Sequence, residues 1–402
     1  MNTPTDTTEL PELRLKRGED RRLSAGHLWV FSNEVDTGRT PLTAFAAGDL
    51  ARIVNDRDKF LGYAYVNPHS LISARILTRD TSALPVKSLI VHRLQVALSL
   101  RQRLFTAPYY RLVYGESDGL PGLVLDRFGD LVVGQIATAG METFKADIQQ
   151  AVMKVIQPKA LLWKNDSGAR DLEGLPHYVE MAVGEMPDKV TVEEGGVTYQ
   201  VPVTTGQKTG WFFDQAANRA SLRKYVKGAR VLDVFSYLGA WGLGALKAGA
   251  SEVTCVDSSA SALESLQATA AANGLEPKTV RGDAFDVMEA MHADQQRFDV
   301  VVIDPPAFIK RKKDIPKGEA AYKRLNQLAM QLLERDGILS SSSCSYHLEA
   351  DSLTLAVQRS ARHLARFAQV IEVGGQSPDH PIHPAIPETR YLKSLVCRVV
   401  SE

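Results

Sequence analysis

From Ala229 to the end of the chain, short apolar segments alternate with helical segments, and this alternation restricts the fold more than any other feature. The strand candidates are RVLDVFSY, EVTCVD, KTVRGD, FDVVVIDPP, GILSSSSCS and SLVCRVV. Helical stretches such as SALESLQATAAANG separate most of them. Alternation of helices with apolar, β-branched strands is typical of a mainly parallel sheet covered on both faces. The sequence therefore predicts a doubly wound α/β domain over residues 191–402.

The preceding residues predict two smaller domains, because 402 residues are too many for one ordinary core. Residues 1–78 carry the β-type runs LARIVN, FLGYAYV and LISARILT between turn signals, which predict a small β-barrel. Residues 79–190 combine the helical stretch SLIVHRLQVALSLRQRLF with strands around Gly119–Pro121 and Gly129–Asp130, which predicts a central α+β domain. KVTVEEGGVTYQVPV then predicts a hairpin with its turn at Glu194–Gly196.

Composition narrows the class of protein. The 47 Lys and Arg residues balance 47 Asp and Glu residues, so bulk charge cannot hold nucleic acid, although local basic patches can. No apolar run approaches the ~20 residues of a membrane span, and the polar N-terminus lacks the apolar core of a secretion signal. Three scattered cysteines favour neither a disulfide framework nor a zinc site. We therefore expect a cytoplasmic protein with no metal and no membrane partner, and the sequence leaves a homodimer open.

The loop after the first strand of the α/β domain has too few glycines for a dinucleotide. A dinucleotide-binding loop needs a G-x-G-x-x-G pattern so that the pyrophosphate can approach the backbone. Phe235 and Tyr237 stand where glycines would be, and only Gly239 and Gly242 remain. Asp233, just before them, can pair with an ammonium group. The loop therefore favours a methionine-bearing cofactor over NAD.

Acids also follow the next three strands. Asp257 follows Gly239 at close to the ~20-residue spacing that is typical of a ribose-binding acid. Asp283 in RGDAF can accept a hydrogen bond from an adenine amino group, and Asp304 precedes two prolines. Ligands of doubly wound sheets bind at the carboxyl ends of the strands. One such Asp is often only a helix N-cap. Four consecutive ones, with Asp233, predict a ligand site.

At this point the motifs resemble a known family. The order D-x-F-S-Y-x-G, V-D, G-D-A-F, D-P-P and S-C-S is similar to that of class I RNA methyltransferases, and more narrowly to the bacterial large-subunit rRNA cytosine-C5 methyltransferases (the RlmI-like family). GQKTGWFFDQAANR, YKRLNQLAMQLL, SSCSYHL and DHPIHPAIPETRYLK carry the resemblance across most of residues 200–395. It implies a Rossmann-like class I methyltransferase domain preceded by a PUA-type RNA-binding β-barrel and a central α+β domain. It also implies S-adenosyl-L-methionine as cofactor and large-subunit (23S) rRNA as partner.

Cys344 is the expected nucleophile. Carbon 5 of cytosine is a poor nucleophile until a thiolate adds to C6, so the reaction needs a cysteine at the active edge of the sheet. Cys344 follows a run of serines at a strand's carboxyl end, whereas Cys255 and Cys397 sit inside apolar strands and fit a core role. Asp304 is the expected partner of the base edge. Ala307 stands where some related enzymes carry a second cysteine, so the sequence identifies no base for the C5 proton.

The resemblance carries further residues to the two expected binding sites. The cofactor residues are Asp233, Phe235, Ser236, Tyr237, Gly239, Asp257, Ser258, Asp283, Ala284, Asp304, Lys208 and Phe212. The substrate side has Pro305, whose carbonyl can accept from the exocyclic amine, and two basic patches. These patches are Lys310, Arg311, Lys312 and Lys313 directly after the Asp-Pro-Pro turn, and Arg14, Lys16 and Arg17 in the first domain. Basic side chains placed in this way typically position RNA through its phosphates.

Two other interpretations stay open. An exocyclic-amine methyltransferase acting on adenine or guanine also uses Asp-Pro-Pro, but it usually has an aromatic residue directly after the prolines, where this chain has Ala307 and then Phe308. A catalytically inactive RNA-binding or assembly protein would retain the fold without the chemistry. His380 and His383 resemble a metal pair, but flanking prolines and the lack of a third ligand favour a structural loop.

Overall fold

The computed structural model describes residues 10–81, 84 and 86–401. The chain divides into two compact units, each built from three stretches of sequence. Unit 1 consists of Met1–Val190, Pro202–Trp211 and Asp379–Thr389, and unit 2 of Thr191–Val201, Phe212–Pro378 and Arg390–Glu402. The finer division of the first half at residues 78 and 79 stays a prediction.

The first sheet of unit 1 has five short strands around an apolar core. Its elements are β1 (Glu12–Arg14), α1 (Arg21–Ser24), β2 (Trp29–Phe31), β3 (Leu50–Val54), β4 (Phe60–Val66) and β5 (Ile72–Thr78). The strand order is β1-β3-β4-β5-β2, with β1 parallel to β3 and the other pairs antiparallel. Leu13, Ile53 and Ile76 are among the side chains buried in its core. The β-type runs predicted in this zone are therefore confirmed as β3, β4 and β5.

The second sheet of unit 1 packs against helices. Its elements are α2 (Val86–Leu104), β6 (Tyr109–Tyr114), β7 (Leu123–Phe128), β8 (Leu131–Ile136), α3 (Ala139–Thr143), α4 (Lys145–Val155), β9 (Ala160–Asn165) and β10 (Tyr178–Val183). The order β10-β9-β8-β7-β6 is antiparallel except between β8 and β9. Leu94 of α2 and Ile148 of α4 share one apolar cluster with Leu125 and Trp163 of the sheet. This is the α+β arrangement that the sequence predicts.

Buried polar contacts tie the two later segments of unit 1 to this sheet. The Arg101 guanidinium donates to the carbonyl of Asp379 at 2.7 Å, and the Arg111 backbone N–H donates to the Asp379 carboxylate at 2.8 Å. Arg111 also forms a two-point ion pair with Asp126, both contacts at 2.9 Å. The Thr209 hydroxyl donates to the same Asp126 carboxylate. Residues far apart in the chain therefore complete one polar cluster.

The loop that contains His380 and His383 belongs to this cluster. His380 is buried, with Nδ1 2.9 Å from an Asp379 carboxylate oxygen. The Nδ1 atom of His383 accepts from the backbone N–H of Ala385 at 3.2 Å. In the described ranges, no three His, Cys, Asp or Glu side chains are grouped so that they could hold a metal ion.

Unit 2 begins with the predicted hairpin and continues into the α/β domain. Its elements are β11 (Thr191–Glu194), β12 (Val197–Gln200), α5 (Ala216–Leu222), β13 (Arg230–Val234), α6 (Ala240–Lys247), β14 (Glu252–Asp257), α7 (Ala260–Ala272), β15 (Lys278–Arg281), α8 (Ala284–Ala293), β16 (Phe298–Ile303), α9 (Ile315–Gln331), β17 (Leu333–Ser343), α10 (Ala350–His363), β18 (Arg366–Gly375) and β19 (Lys393–Ser401). Gly195 and Gly196, both with positive φ, form the turn between β11 and β12.

The main sheet of unit 2 has seven strands in the order β15-β14-β13-β16-β17-β19-β18. The first five strands in this order, β15, β14, β13, β16 and β17, run parallel to one another. β19 lies between β17 and β18 and runs antiparallel to both. The strand order reverses between β13 and β16, so a crevice forms at their carboxyl ends. Leu232, Val301 and Leu339 are buried in the core beneath this crevice. The doubly wound fold is confirmed.

One feature of this sheet differs from the sequence prediction. β18 is absent from the predicted strand set, and it pairs antiparallel with the final strand. β18 is an edge strand in which exposed Phe367 and Val373 interrupt the polar–apolar pattern, so it lacks a continuous apolar run. No helix within the described residues is long and apolar enough to span a membrane.

Candidate active site

The loop that leaves β13 is held in an unusual backbone conformation. Phe235 has φ 65° and Tyr237 has φ 49°, and Gly239 follows at φ 75°. Non-glycine residues in this region each cost on the order of 1–3 kcal/mol and often mark functional sites. The Ser236 N–H donates to the carbonyl of Val256 at 3.0 Å, which fixes the loop to the neighbouring strand. The predicted cofactor loop is therefore a rigid, strained turn at the strand-order switch.

Asp233 connects this turn to α6. It is fully buried, and one carboxylate oxygen accepts the Gly242 N–H at 2.9 Å. A Cβ on Gly242 would lie 3.1 Å from that oxygen and 2.6 Å from the Cys255 sulfur, so the close approach requires glycine. Burial raises the pKa of Asp233 to about 7, and the nearby Asp304 and Asp257 carboxylates act in the same direction. Among described residues, the second oxygen of Asp233 has no hydrogen-bond partner, and neither does the buried hydroxyl of Ser236.

Asp257 and Asp283 organise the next two loops. The Asp257 carboxylate accepts the N–H of Tyr237 at 2.8 Å and the N–H of Ser259 at 2.9 Å, so it joins two loops at the crevice. Asp283 is exposed and caps α8 by accepting the N–H of Phe285 at 2.9 Å. Asp283 therefore has the structural role of an N-cap, and its contact with adenine stays a prediction. Of their chain neighbours, Ser258 is exposed and Ala284 is buried.

Asp304 is held by two donors that the sequence does not reveal. Its carboxylate accepts from Gln215 Nε2 at 2.8 Å and from Trp241 Nε1 at 3.1 Å. Asn218, one turn along α5, donates to the Gln215 side-chain oxygen at 2.6 Å and so fixes the amide. Burial raises the pKa of Asp304 to about 6, Asp214 adds to the rise, and the Trp241 and Gln215 bonds oppose it. About one Asp304 side chain in ten is protonated at pH 7 with such a pKa.

Cys344 lies beside the Asp-Pro-Pro turn. It directly follows β17, which pairs with β16, and its sulfur is 3.9 Å from the carbonyl oxygen of Pro305. Cys344 is partly exposed, while Cys255 and Cys397 are both fully buried. Burial raises the pKa of the Cys397 thiol to about 12 and that of Cys255 well above its ordinary value. Cys344 is thus the cysteine that the fold leaves accessible at the crevice.

A hydroxyl cluster fixes the backbone around Cys344. The Ser343 hydroxyl donates to the Tyr322 oxygen at 2.8 Å, and that oxygen is 2.9 Å from the Ser345 hydroxyl. The Ile309 N–H donates to the Ser345 hydroxyl at 3.2 Å. The segment that carries Cys344 is therefore bonded to the segment that follows Asp304 and Pro305.

The predicted RNA-contacting residues occupy different settings. Lys310, Arg311, Lys312 and Lys313 are all exposed after the Asp-Pro-Pro turn, where Arg311 pairs with Asp314 at 3.5 Å. In unit 1, Arg14 is 12% exposed and pairs with Glu12 and Asp58. Lys16 donates to the carbonyl of Asn33 at 2.8 Å, and Arg17 is exposed. The charge of Arg14 is therefore compensated within its own sheet.

The predicted cofactor residues Lys208 and Phe212 fall in different units. Lys208 belongs to unit 1, where its carbonyl accepts from the Lys164 ammonium group. Phe212 belongs to unit 2, and its ring meets the Tyr237 ring edge-on with 5.5 Å between centroids. Within unit 2, the crevice brings together Asp233, Ser236, Tyr237, Asp257, Asp304, Pro305 and Cys344.

This sheet order, with acids at the ends of four parallel strands, is that of a Rossmann-like class I methyltransferase. A profile described as "PUA-like domain" matches residues 13–79, and one described as "Conserved hypothetical protein 95" matches residues 213–347. The "Ribosomal RNA large subunit methyltransferase I" of Shewanella denitrificans is 36% identical over 396 residues, which is 96% of this chain and 99% of that protein. Its counterpart in Shigella boydii serotype 18 is 35% identical over 397 residues, with the same coverage. The chain belongs to the ribosomal RNA large subunit methyltransferase I family.

Solved structures agree with this fold. A putative methyltransferase whose crystal structure is a complex with SAH has a TM-score of 0.83 and 20% identity, over 97% of this chain and all of that one. A putative SAM-dependent methyltransferase from Streptococcus mutans gives a TM-score of 0.81 at the same identity and coverage. At this identity the likeness shows the shared fold.

Proposed function

We propose that this chain transfers a methyl group from S-adenosylmethionine to carbon 5 of a cytosine in large-subunit rRNA through a covalent Cys344–C6 bond. One observation carries the proposal: the accessible Cys344 lies at the Pro305 carbonyl, next to an Asp304 carboxyl held by two donors. The family's name supports ribosomal RNA of the large subunit as substrate.

Covalent addition makes the target carbon reactive. The Cys344 thiolate forms a bond to C6, and the ring electrons that are displaced make C5 nucleophilic. C5 then takes the methyl group that the cofactor supplies when bound. Loss of the C5 proton to a base and cleavage of the C6–sulfur bond restore the ring and the thiolate. The target cytosine must leave the RNA stack to reach Cys344.

Asp304 and Pro305 recognise the cytosine edge in this scheme. A protonated Asp304 donates to N3, where negative charge develops after the attack on C6, and its pKa of about 6 keeps that form accessible near neutral pH. The Pro305 carbonyl accepts from the exocyclic amine. Because Gln215 and Trp241 hold the carboxyl group, little rearrangement is needed when the base enters.

The crevice fits the proposed cofactor. The unpartnered oxygen of Asp233 offers a buried acceptor for the cofactor's ammonium group, and the Ser236 hydroxyl is a second group in need of a partner. Asp257 stands at the end of β14, where an acid can bind ribose hydroxyls. Tyr237 and Phe212 supply an apolar wall beside it.

RNA contacts are proposed for both units. The four exposed cations of Lys310–Lys313 follow the active turn directly, so they can bind phosphates close to the target base. Lys16 and Arg17 are exposed in the PUA-like domain and are proposed to bind RNA there. A cytoplasmic location is part of this proposal. The homodimer stays a prediction, which light scattering of the full chain can test.

Methylation of an exocyclic amine has less support. Such sites stack the base on an aromatic ring after the prolines, but Phe308 packs 4.9 Å from the Tyr322 ring and 6.2 Å from the Phe285 ring, measured between centroids. The side chain is therefore engaged with the core. Nothing in that mechanism requires Cys344.

The test combines a variant with a trapping substrate. Cys344→Ala should lose methyl transfer to rRNA, while cofactor binding by calorimetry is retained, and the core variant Cys397→Ala should keep activity. RNA that contains 5-fluorocytidine should form a covalent complex with the wild-type protein and none with Cys344→Ala, because fluorine cannot leave as the C5 proton does. Bisulfite sequencing of rRNA from a deletion strain then locates the site. Full activity of Cys344→Ala would refute the mechanism. Cofactor binding without turnover by the wild-type protein would favour an inactive RNA-binding protein.

A further inference from the structure

Lys393 lies next to Cys344 and takes no part in the proposed methyl transfer. It begins β19 and pairs in register with Ser343, the residue before Cys344. Its ammonium group donates to the carbonyl of Ser345, the residue after Cys344, at 2.6 Å and to the carbonyl of Tyr391 at 2.9 Å. Lys393 therefore contacts the backbone on both sides of the cysteine.

Whether the Lys393 amine is charged depends on pH near neutrality. Burial lowers its pKa to about 8, while Glu349 and Cys344 favour the charged form and Arg390 opposes it. The cysteine and the lysine thus interact electrostatically. Tyr322, a second titratable group bonded to this segment, stays a neutral phenol because burial raises its pKa. The Lys393 ammonium ion supplies a positive charge bonded to the Cys344 segment, and this charge is lost above about pH 8.

We propose that Lys393 is a positioning residue whose ammonium ion stabilises the Cys344 thiolate and makes it available at neutral pH. A lysine has three N–H bonds, and the two carbonyls use two of them, so one remains to interact with an anion. The fixed carbonyls prevent the long side chain from turning to solvent. The significance of the thiolate rests on the proposed function, in which Cys344 attacks the base.

Alkylation of Cys344 measures this effect without methyl transfer. The full chain is treated with iodoacetamide across a pH series, and the carbamidomethylated Cys344 peptide is quantified by mass spectrometry. Buried Cys255 and Cys397 serve as unreactive references. In Lys393→Met, the midpoint of the rate profile should move up by about one pH unit, and the rate at pH 7 should fall about tenfold. Lys393→Arg keeps the positive charge and should stay near the wild-type profile.

Two controls separate electrostatics from structure. Lys227→Met removes an exposed cation elsewhere in unit 2 and should leave the profile unchanged. If Lys393 only anchors the loop, Lys393→Met will lower the melting temperature without moving the midpoint, and this result would overturn the proposal. An unchanged midpoint in Lys393→Met would overturn the proposal whatever the melting temperature of the variant. Failure of the cytosine mechanism is seen separately, as full methyl transfer by Cys344→Ala.

Discussion

Replacement of Trp241 by phenylalanine tests the role of Asp304 most directly. The change keeps an aromatic ring in α6 and removes the indole N–H, one of the two donors to the Asp304 carboxylate, at 3.1 Å. That bond lowers the pKa of Asp304, so its loss should raise the pKa from about 6. A hydrogen bond to a partly exposed carboxylate is worth roughly 1 kcal/mol, which corresponds to about half to one pH unit.

The expected kinetic result follows from the protonated form being the active one. Above pH 6 the protonated fraction of Asp304 grows with its pKa, so kcat/KM at pH 8 should rise about threefold to tenfold. At pH 5, where Asp304 is largely protonated in both proteins, kcat/KM should stay the same. Methyl transfer to an rRNA fragment is measured as incorporated label between these pH values.

The structure offers a matched control for the loss of the indole. Trp163 is fully buried in unit 1, and among described residues its Nε1 has no hydrogen-bond partner. Trp163→Phe should lower the free energy of unfolding by about 1–2 kcal/mol, as Trp241→Phe should, without changing the pH dependence. A fall of kcat/KM for Trp241→Phe by the same factor at every pH would refute the reasoning, since activity would then not depend on the protonation of Asp304.

Three further predictions concern stability and binding. The folded-state pKa of Asp233 lies above its ordinary value, so the folded protein binds more protons than the unfolded chain between about pH 4 and pH 7, and stability falls as pH rises through that range. Asp233→Asn should flatten this dependence in urea unfolding and raise stability at pH 8 by up to about 4 kcal/mol, while it weakens S-adenosylmethionine binding at least about tenfold; unchanged binding would exclude the ammonium contact. Gly242→Ala should lower the free energy of unfolding by about 2–3 kcal/mol because its Cβ would clash with Cys255, whereas Gly228→Ala, with positive φ and open space around it, should cost about 1 kcal/mol. Replacement of all four cations of Lys310–Lys313 by glutamine should reduce the slope of log binding constant against log salt concentration by about 3 and leave cofactor binding intact; an unchanged slope would remove them from the RNA interface.

The part of the site that the sequence predicts depends on a rule of topology. Parallel strands place their carboxyl ends at one edge, so the positions of Asp233, Asp257 and Asp304 at the ends of their strands are enough to assign them to one crevice. Cys344 follows from the same rule, because β16 and β17 are neighbours. Asp283 fits the rule as well, although the structure gives its carboxylate an N-capping contact.

The supporting residues could not be predicted in this way. Gln215 and Trp241 reach Asp304 from two helical segments, and their meeting depends on how α5 and α6 pack against the sheet. Lys393 approaches Cys344 because the last strand inserts antiparallel beside β17, which no local pattern in its sequence indicates. β18 escaped prediction because its exposed apolar residues obscure the periodicity of a strand.

The discontinuous makeup of unit 1 has a consequence for how the protein is made. Asp379 supplies acceptors to Arg101 and to the backbone of Arg111, so part of the polar interior of the N-terminal half is encoded near the C-terminus. Asp379 lies 278 positions after Arg101, so this acceptor is synthesised long after its donor. In a fragment that ends at Val190, the buried Arg101 guanidinium group would lack its Asp379 acceptor or become exposed to solvent. We therefore expect unit 1 to reach its folded form only after the segment that contains Asp379 has been synthesised.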